Sequence, residues 1–498
     1  MAKMHIQKTL VMPILTVRRY LFGIILALLG LIVSFKSTAL SAITSKEIHG
    51  SGPYITLDGG RTHINSSEPL LSIKLSDGRL ITSQEDTSSS QKPIILSGNS
   101  ESIRDIQTFV PIDGNSTYPQ IDIQKLMDAP YHYWGDDDGD GDILANGKLS
   151  LEWYDANKNI TAEVKKNPSY KLDACKAPYR LFITTGESLT LLTRYGIPNK
   201  TVYKQSSHSY YFKPSAPSVC YAQPNLSNDS SNNTEYKDLD GPDWVKGKGF
   251  VPQDINNPQR NFPSTGTNNV YFYLLLANVT PEEIISANGA RVFPESGSGV
   301  SLALSSAITP GWGKGSRDVA LKIVLKGPVN SSANKNFSPS TFKLYSDRAK
   351  SNVLYSFKIE RWYIAQGANI NASVQDAKNY CNRIGYRVPS VADYTNANND
   401  DIWTGGIPGR NINNYRRQLS YRSSNGKWIG GLFNEWGTLF NNPDHYLGLD
   451  DWETNHPQDW YWAIDTYKGE PIRVDLGDGD LYDSKSTNNK LRAACVKP

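Results

Sequence analysis

Four cysteines, at positions 175, 220, 381 and 495, constrain this chain more than any other feature, because of what precedes them. Residues 1–42 hold Lys3, Lys8, Arg18, Arg19 and Lys36 and no acidic residue. The basic stretch ends at Arg18-Arg19, runs into YLFGIILALLGLIVSF, and is followed by STALSA. Basic, apolar and small-residue parts in that order make an export signal, with Ala39 and Ser41 placing cleavage near Ser41 or Ala42. The apolar run is shorter than the roughly 20 residues of a spanning helix. Retention as an uncleaved N-terminal membrane anchor is the alternative. In an oxidising compartment the cysteines read as disulfides. Four can pair in three ways. Joining Cys175 to Cys220 and Cys381 to Cys495 is the simplest, since each bond then lies inside one domain. Neither a Cys-x-x-Cys metal spacing nor a Cys/His nucleophile pattern occurs.

A chain of 498 residues is too long for one core and predicts about three domains. With the five N-terminal charges set aside, 47 basic residues face 49 acidic ones. That balance gives no footprint for nucleic acid. Beyond the N-terminal segment no stretch is apolar enough to span a bilayer as a helix, so membrane contact is expected only there.

The remaining chain is read in four parts. Residues 43–222 carry short alternating runs such as PLLSIKLSDGRLIT and KLSLEWYDA between Ser/Gly/Asn turns, which predicts a β-rich domain. Residues 223–268 are polar and read as a linker. Residues 269–361 hold the strand-length runs NVYFYLLLANV, GVSLALSS, DVALKIVLKGP and VLYSFKIERWYI, the size and spacing of an immunoglobulin-like β-sandwich. Residues 362–498 change character. In SVQDAKNYCNRIG, Val374, Ala377, Tyr380, Cys381 and Ile384 recur at helical spacing, with Ser373 as N-cap and Asp376 three residues on. Short strands and many Trp, Tyr, Gly and Asn follow. The fold class is therefore mainly β with a small α+β C-terminal domain.

This last part resembles a known family. Ala377, Tyr380 and Cys381, followed by Val388-Pro389-Ser390, are similar to the opening helix and turn of C-type-lectin-like domains. KWIGG resembles the middle strand of that fold, and LRAACVKP its terminal strand, with Cys495 as partner of Cys381. An immunoglobulin-like module followed by such a domain is similar to the tip of bacterial invasin/intimin-type adhesins. The upstream part resembles the adhesion domain of short enterobacterial relatives. The resemblance implies a lectin-like fold for residues 362–498. A Cys381–Cys495 bond closing a loop of roughly 114 residues would contribute about 4–5 kcal/mol by chain entropy.

Sugar-binding members hold calcium through Glu-Pro-Asn or Gln-Pro-Asp and Trp-Asn-Asp motifs. Here GEPIRV puts Ile472 where an amide or carboxylate is needed, and Trp-Asn-Asp does not occur. The resemblance thus points to a protein-binding tip. Aromatic anchors beside charges make such surfaces, and Asp450, Asp451, Trp452, Asp459 and Trp460 are the candidate partner-binding residues. Asp451-Trp452, between Gly448 and Pro457, is expected on an exposed loop.

Five aspartates crowd residues 136–142, in DDDGDGD. Asp136, Asp138, Asp140 and Asp142 stand at ligand positions one, three, five and seven of a calcium loop, with Gly141 and Ile143 following the same template. Gly147 stands where the bidentate glutamate belongs. Calcium here is expected to be structural. Catalysis is not expected, because adjacent carboxylates on a glycine-rich loop stay solvated and ionised, with no apolar pocket to raise one of them. His132 and His208 sit in no triad or His-Glu-x-x-His pattern, and no Gly-x-Ser-x-Gly elbow occurs.

These readings together describe an exported, non-enzymatic bacterial adhesin, at the cell surface or outer membrane, or secreted. Its C-terminal domain binds a host or cell-surface protein receptor. Residues 43–130 are too few and too polar for a membrane β-barrel, so display calls for an outer-membrane partner, secretion, or retention of the N-terminal segment. A periplasmic or secreted carbohydrate-binding lectin is the alternative.

Overall fold

The computed structural model describes residues 50–97, 102–113, 115–226, 240–312, 315–367, 370–449, 451–452, 460–484 and 491–498. The export segment lies outside them. The chain divides into two compact units. The smaller draws on residues 50–63, 133–144 and 191–201. In it Tyr54–Ile55 pairs antiparallel with Trp134–Gly135.

The N-terminal part of the larger unit holds a small three-stranded sheet within residues 73–107 and a five-stranded sheet. The strands of the latter are β1 (Ile94–Ile95), β2 (Gln120–Asp122), β3 (Lys148–Tyr154), β4 (Tyr179–Thr184) and β5 (Ser207–Lys213), in the order β1-β5-β4-β3-β2. Alternation makes these strands: in KLSLEWY, Leu149, Leu151 and Trp153 are buried and the residues between them are not.

After β5 the chain enters a second, seven-stranded sheet. It comprises β6 (Ser218–Gln223), β7 (Trp244–Val245), β8 (Gly249–Phe250), β10 (Tyr271–Ala277), β11 (Arg291–Val292), β13 (Ser301–Ile308) and β14 (Val319–Lys326). The order is β7-β8-β6-β10-β14-β13-β11. The intervening strands are β9 (Thr265–Thr267) and β12 (Ser296–Ser298), and helix α1 (Pro281–Asn288) lies between β10 and β11. A three-stranded sheet, β12-β15-β16, is completed by β15 (Ser338–Tyr345) and β16 (Val353–Ile359). Phe272 of β10 meets Phe357 of β16 edge to face, 5.9 Å between ring centres, so the two sheets share a core. This is the expected β-sandwich with two additions. β6 belongs to it, not to the upstream domain, and so does the β7–β8 hairpin.

The hairpin corrects the linker reading of residues 223–268. Among its described residues Trp244, Phe250 and Phe262 are buried. Arg417 of the C-terminal part lies over the Trp244 ring, 4.2 Å from its centre, and the Arg417 carbonyl accepts from Gly241 N at 3.0 Å. A few large rings spaced through a polar stretch are enough to bury it, and averaging its composition hides them.

The C-terminal part contains β17 (Arg361–Ala365), α2 (Val374–Arg383), α3 (Val391–Tyr394), α4 (Leu432–Trp436), β18 (Trp460–Tyr467), β19 (Glu470–Asp475), β20 (Leu481–Asp483) and β21 (Ala494–Lys497). α2 is the predicted helix: the Ser373 hydroxyl accepts from Asp376 N, and Ala377, Tyr380 and Cys381 face inward. β18, β19 and β20 form one sheet. β17 lies between β9 and β21, parallel to the first and antiparallel to the second. Cys381 is bonded to Cys495 and Cys175 to Cys220. The second bond places Cys220 on β6, in the sandwich sheet.

One buried core runs from Ala222 to Val496. Two polar groups organise its middle. Glu435 of α4 is 0% exposed and accepts from Ser264 N (3.0 Å), Ser264 Oγ (2.5 Å), Thr265 N (2.9 Å), Thr265 Oγ1 (2.7 Å) and Ser420 N (3.1 Å). Asp393 of α3, also fully buried, pairs with Arg361 of β17 and with Arg387 at 2.6 Å, and accepts from Ser390 N and Oγ, both at 2.6 Å. Burial pushes the Asp393 carboxyl up. The Arg387 and Arg361 guanidiniums and Ser390 outweigh it and hold the group below the ordinary carboxylate range.

Asp393→Asn leaves two guanidiniums without their counter-charge and is expected to cost about 3–5 kcal/mol in urea titrations at neutral pH. A depressed pKa gives stability that is complete above the unfolded carboxyl value of about 4 and is lost as pH falls below it. The variant therefore lacks that part of the acid destabilisation seen in the parent. A fragment of residues 362–498 keeps Glu435 but loses Ser264, Thr265 and β9. It is expected to show no cooperative thermal transition, whereas residues 215–498 with Cys220→Ala do.

Candidate functional site

The aspartate loop, in the smaller unit, is built differently from its sequence template. The tight turn falls at Gly139 (φ 81°), and Asp136 Oδ1 accepts from Asp138 N at 2.7 Å. Asp140 Oδ2 accepts from Tyr195 N at 3.1 Å. Asp138 packs against Gly50, where an added Cβ would lie 1.9 Å from both carboxylate oxygens. Asp142 is exposed. The carboxylates thus go to separate partners. Among the described residues no three His, Cys, Asp or Glu side chains are grouped to hold a metal ion.

The organising residue is Asp137, which falls between the template's ligand positions. It accepts from Ser51 Oγ (2.9 Å) and Tyr54 Oη (3.0 Å), and His63 stacks on the Tyr54 ring at 3.6 Å. The Ser51 and Tyr54 hydrogen bonds lower its pKa. The link spans more than eighty residues, so no local pattern could have marked it.

The predicted partner-binding residues separate. Asp450 and Asp459 lie outside the described residues. Trp452 is 1% exposed, correcting the exposed-loop expectation. Its Nε1 donates to Thr267 Oγ1 at 3.1 Å and its ring lies 5.3 Å from Tyr461, because it fills the core beside β9. Asp451 is half-buried, and its Oδ2 accepts from Asn330 N at 3.3 Å. Asp451 and Trp452 line a small cavity of about 120 Å³, and Trp460 lines a larger cleft.

That cleft, about 370 Å³, is built on the β18–β19–β20 sheet and the segment 438–445. Trp460 pairs with Asp475 across β18 and β19, and Arg473 pairs with Tyr482 across β19 and β20. Alternation then brings Trp460, Arg473, Asp475 and Tyr482 to one wall. Tyr482 meets Trp460 edge to face at 5.1 Å, and the Arg473 guanidinium lies 4.5 Å over the Trp460 ring. The turn Gly477-Asp478-Gly479-Asp480 closes one end. It is tied down by Asp475 Oδ1 accepting from Gly477 N (2.6 Å) and by Thr438 Oγ1 donating to the Gly477 carbonyl (2.8 Å). Phe440 and His445 form the far side. Burial raises the Tyr482 phenol, and Asp480 and Asp478 raise it further. The wall therefore offers aromatic faces, a hydroxyl, a guanidinium and carboxylates side by side.

Sequence reasoning named Trp460 and missed Arg473, Asp475, Asp478, Asp480 and Tyr482. A signal was present: DLGDGDLYD repeats the Asp/Gly alternation of residues 136–142 and is followed by an aromatic strand residue.

No family model matches the chain, and no curated protein does. Similar solved structures include the crystal structure of invasin, a bacterial integrin-binding protein, at 13% identity and a TM-score of 0.28, covering 71% of this chain and 50% of that one. They also include the Bacteroides ovatus mixed-linkage glucan utilization protein SGBP-B in complex with a mixed-linkage heptasaccharide. There identity is 12% and the TM-score 0.14, over 70% of this chain and 62% of that one. The chain spans half the length of the invasin chain. Both TM-scores fall below 0.5, so the chain's own geometry carries the functional argument.

Asp137→Asn replaces the charged acceptor of Ser51 and Tyr54. Expected is faster limited proteolysis within residues 136–142 with the main thermal transition unmoved, read by mass spectrometry and calorimetry.

Proposed function

We propose that the chain is an exported, non-enzymatic adhesion protein that holds a host or cell-surface protein through the cleft of its C-terminal, lectin-like module. The observation that carries this reading is the cleft wall. Tryptophan, tyrosine and arginine dominate the energetics of protein interfaces, and here Trp460, Tyr482 and Arg473 stand in mutual contact on one sheet. Two disulfides support an oxidising, exported location. The shared core from Ala222 to Val496 supports presentation of the cleft by a stiff support. Among the described residues no helix is long and apolar enough to cross a membrane. Surface display is assigned to a partner in the outer membrane, to secretion, or to the N-terminal segment.

A glycan ligand is the second reading, favoured by carboxylates next to aromatic faces in the same cleft. Calcium-assisted sugar binding is not part of it, since Ile472 is fully buried where a ligand would have to stand.

Residues 43–498, produced oxidised and fluorescently labelled, are expected to bind epithelial cells saturably. Trp460→Ala and Arg473→Ala should each weaken binding roughly tenfold or more without lowering the melting temperature. Protease treatment of the cells should abolish binding. Saturable binding that survives protease and is lost on deglycosylation selects the glycan. Binding indifferent to both substitutions removes the cleft from the account.

A further inference from the structure

The sandwich has an unusual opening where the chain crosses from one sheet to the other. β11 is the last strand of the seven-stranded sheet and β12 the last strand of the three-stranded one. Only Phe293-Pro294-Glu295 separates them in sequence. Both outermost strands therefore flank one opening of about 640 Å³, whose lining includes Arg291, Phe293, Ser298, Lys326 and Asn268.

Its chemistry is one-sided. Ser301 is the cross-strand partner of Lys326, and its Oγ accepts from Arg291 Nε and Nη2 at 3.4 and 3.3 Å. Lys326 Nζ donates to Asn269 Oδ1 at 2.6 Å, so both cations line the opening on neutral partners. No carboxylate belongs to the lining. Glu295, the one acidic residue of the crossing, is engaged by Lys343 Nζ at 2.8 Å and by the Tyr345 hydroxyl at 2.5 Å. Phe293 is 65% exposed, with the Arg291 guanidinium 5.1 Å from its ring centre. β12 reads Ser-Gly-Ser and is exposed along its whole length. An outermost strand offers a row of backbone donors and acceptors to any strand laid beside it, and serine and glycine leave that approach open. Gly297 keeps the strand close to β15, since a Cβ there would lie 2.1 Å from the Pro339 carbonyl.

We propose that this opening binds an acidic, extended polypeptide segment of a partner protein. The segment adds a strand to β12, sets carboxylates against Arg291 and Lys326, and lays an apolar side chain on Phe293. Backbone pairing supplies affinity in such strand addition, and side-chain pockets supply selectivity. Guanidinium and ammonium groups beside the added strand favour carboxylates through charge-assisted hydrogen bonds. The site is separate from the cleft at Trp460, and the two stand or fall independently.

The test uses residues 43–498 and fluorescence anisotropy of a labelled peptide of alternating glutamate and valine. A lysine–valine peptide and a glutamate–valine peptide N-methylated at alternate residues serve as controls. The glutamate peptide is expected to bind, more weakly as salt rises, and at least tenfold more tightly than either control. The double variant Arg291→Glu with Lys326→Glu should lose at least tenfold in affinity with an unchanged melting temperature, because both side chains are exposed. Equal binding of the N-methylated peptide overturns strand addition. Equal binding by the double variant overturns the site. Tighter binding of a sulfated oligosaccharide than of the peptide would make the opening a general anion patch and overturns the proposal too. So would a dimer in sedimentation that the double variant dissolves.

Discussion

The carboxylate of Glu435 is the point on which the larger unit turns. A buried carboxyl group must be met by hydrogen bonds, or desolvation expels it. Here two consecutive residues, Ser264 and Thr265, give both their backbone amides and both their hydroxyls, and Ser420 gives a fifth donor. Those donors come from opposite ends of the sequence interval that the carboxylate joins. β9 is thereby held against α4 and can run parallel to β17. β17 in turn pairs with β21, the last strand of the chain. Trp436, the neighbour of Glu435, adds a hydrogen bond from Nε1 to the Thr265 carbonyl at 2.9 Å.

The C-terminal part is therefore not a bead on a string. Its central sheet contains β9, from the chain between sandwich strands β8 and β10, and its buried aspartate pairs with Arg361 on the strand that leaves the sandwich. Arg417 reaches back to stack on Trp244. Read as a sequence, the chain predicts separable modules. The packing joins described residues from Ala222 to Val496 in one buried core.

Legibility in the sequence followed the range of the interactions. The α2 helix was readable because its cap and its apolar stripe lie within a dozen residues. The sandwich strands were readable because Leu321, Ile323 and Leu325 alternate with exposed or half-exposed neighbours. Both cysteine pairs came from order in the chain. What failed was long-range or diluted. Trp452 looked exposed because Gly, Asp and Pro surround it, yet its indole has a hydrogen-bond partner 185 residues away, in Thr267. The stretch around Trp244 looked like a spacer because its rings are few. The tie of Asp137 to Ser51 and Tyr54 was hidden by its range, since more than eighty residues separate them. The cleft at Trp460 was half seen, since aromatic residues in DWYWAID were visible but the cross-strand register that brings Arg473 and Tyr482 beside them was not.

The position of Cys220 has a mechanical side. Residues 214–217 are the peptide connection from the five-stranded sheet into β6. The Cys175–Cys220 bond is a second covalent connection between the same two bodies, attached midway along β6. A single connector acts as a pivot, whereas two separated ones act as a bracket. Tension entering through the C-terminal part is carried across β6 by both, so the five-stranded sheet and the sandwich resist being swung or twisted against each other.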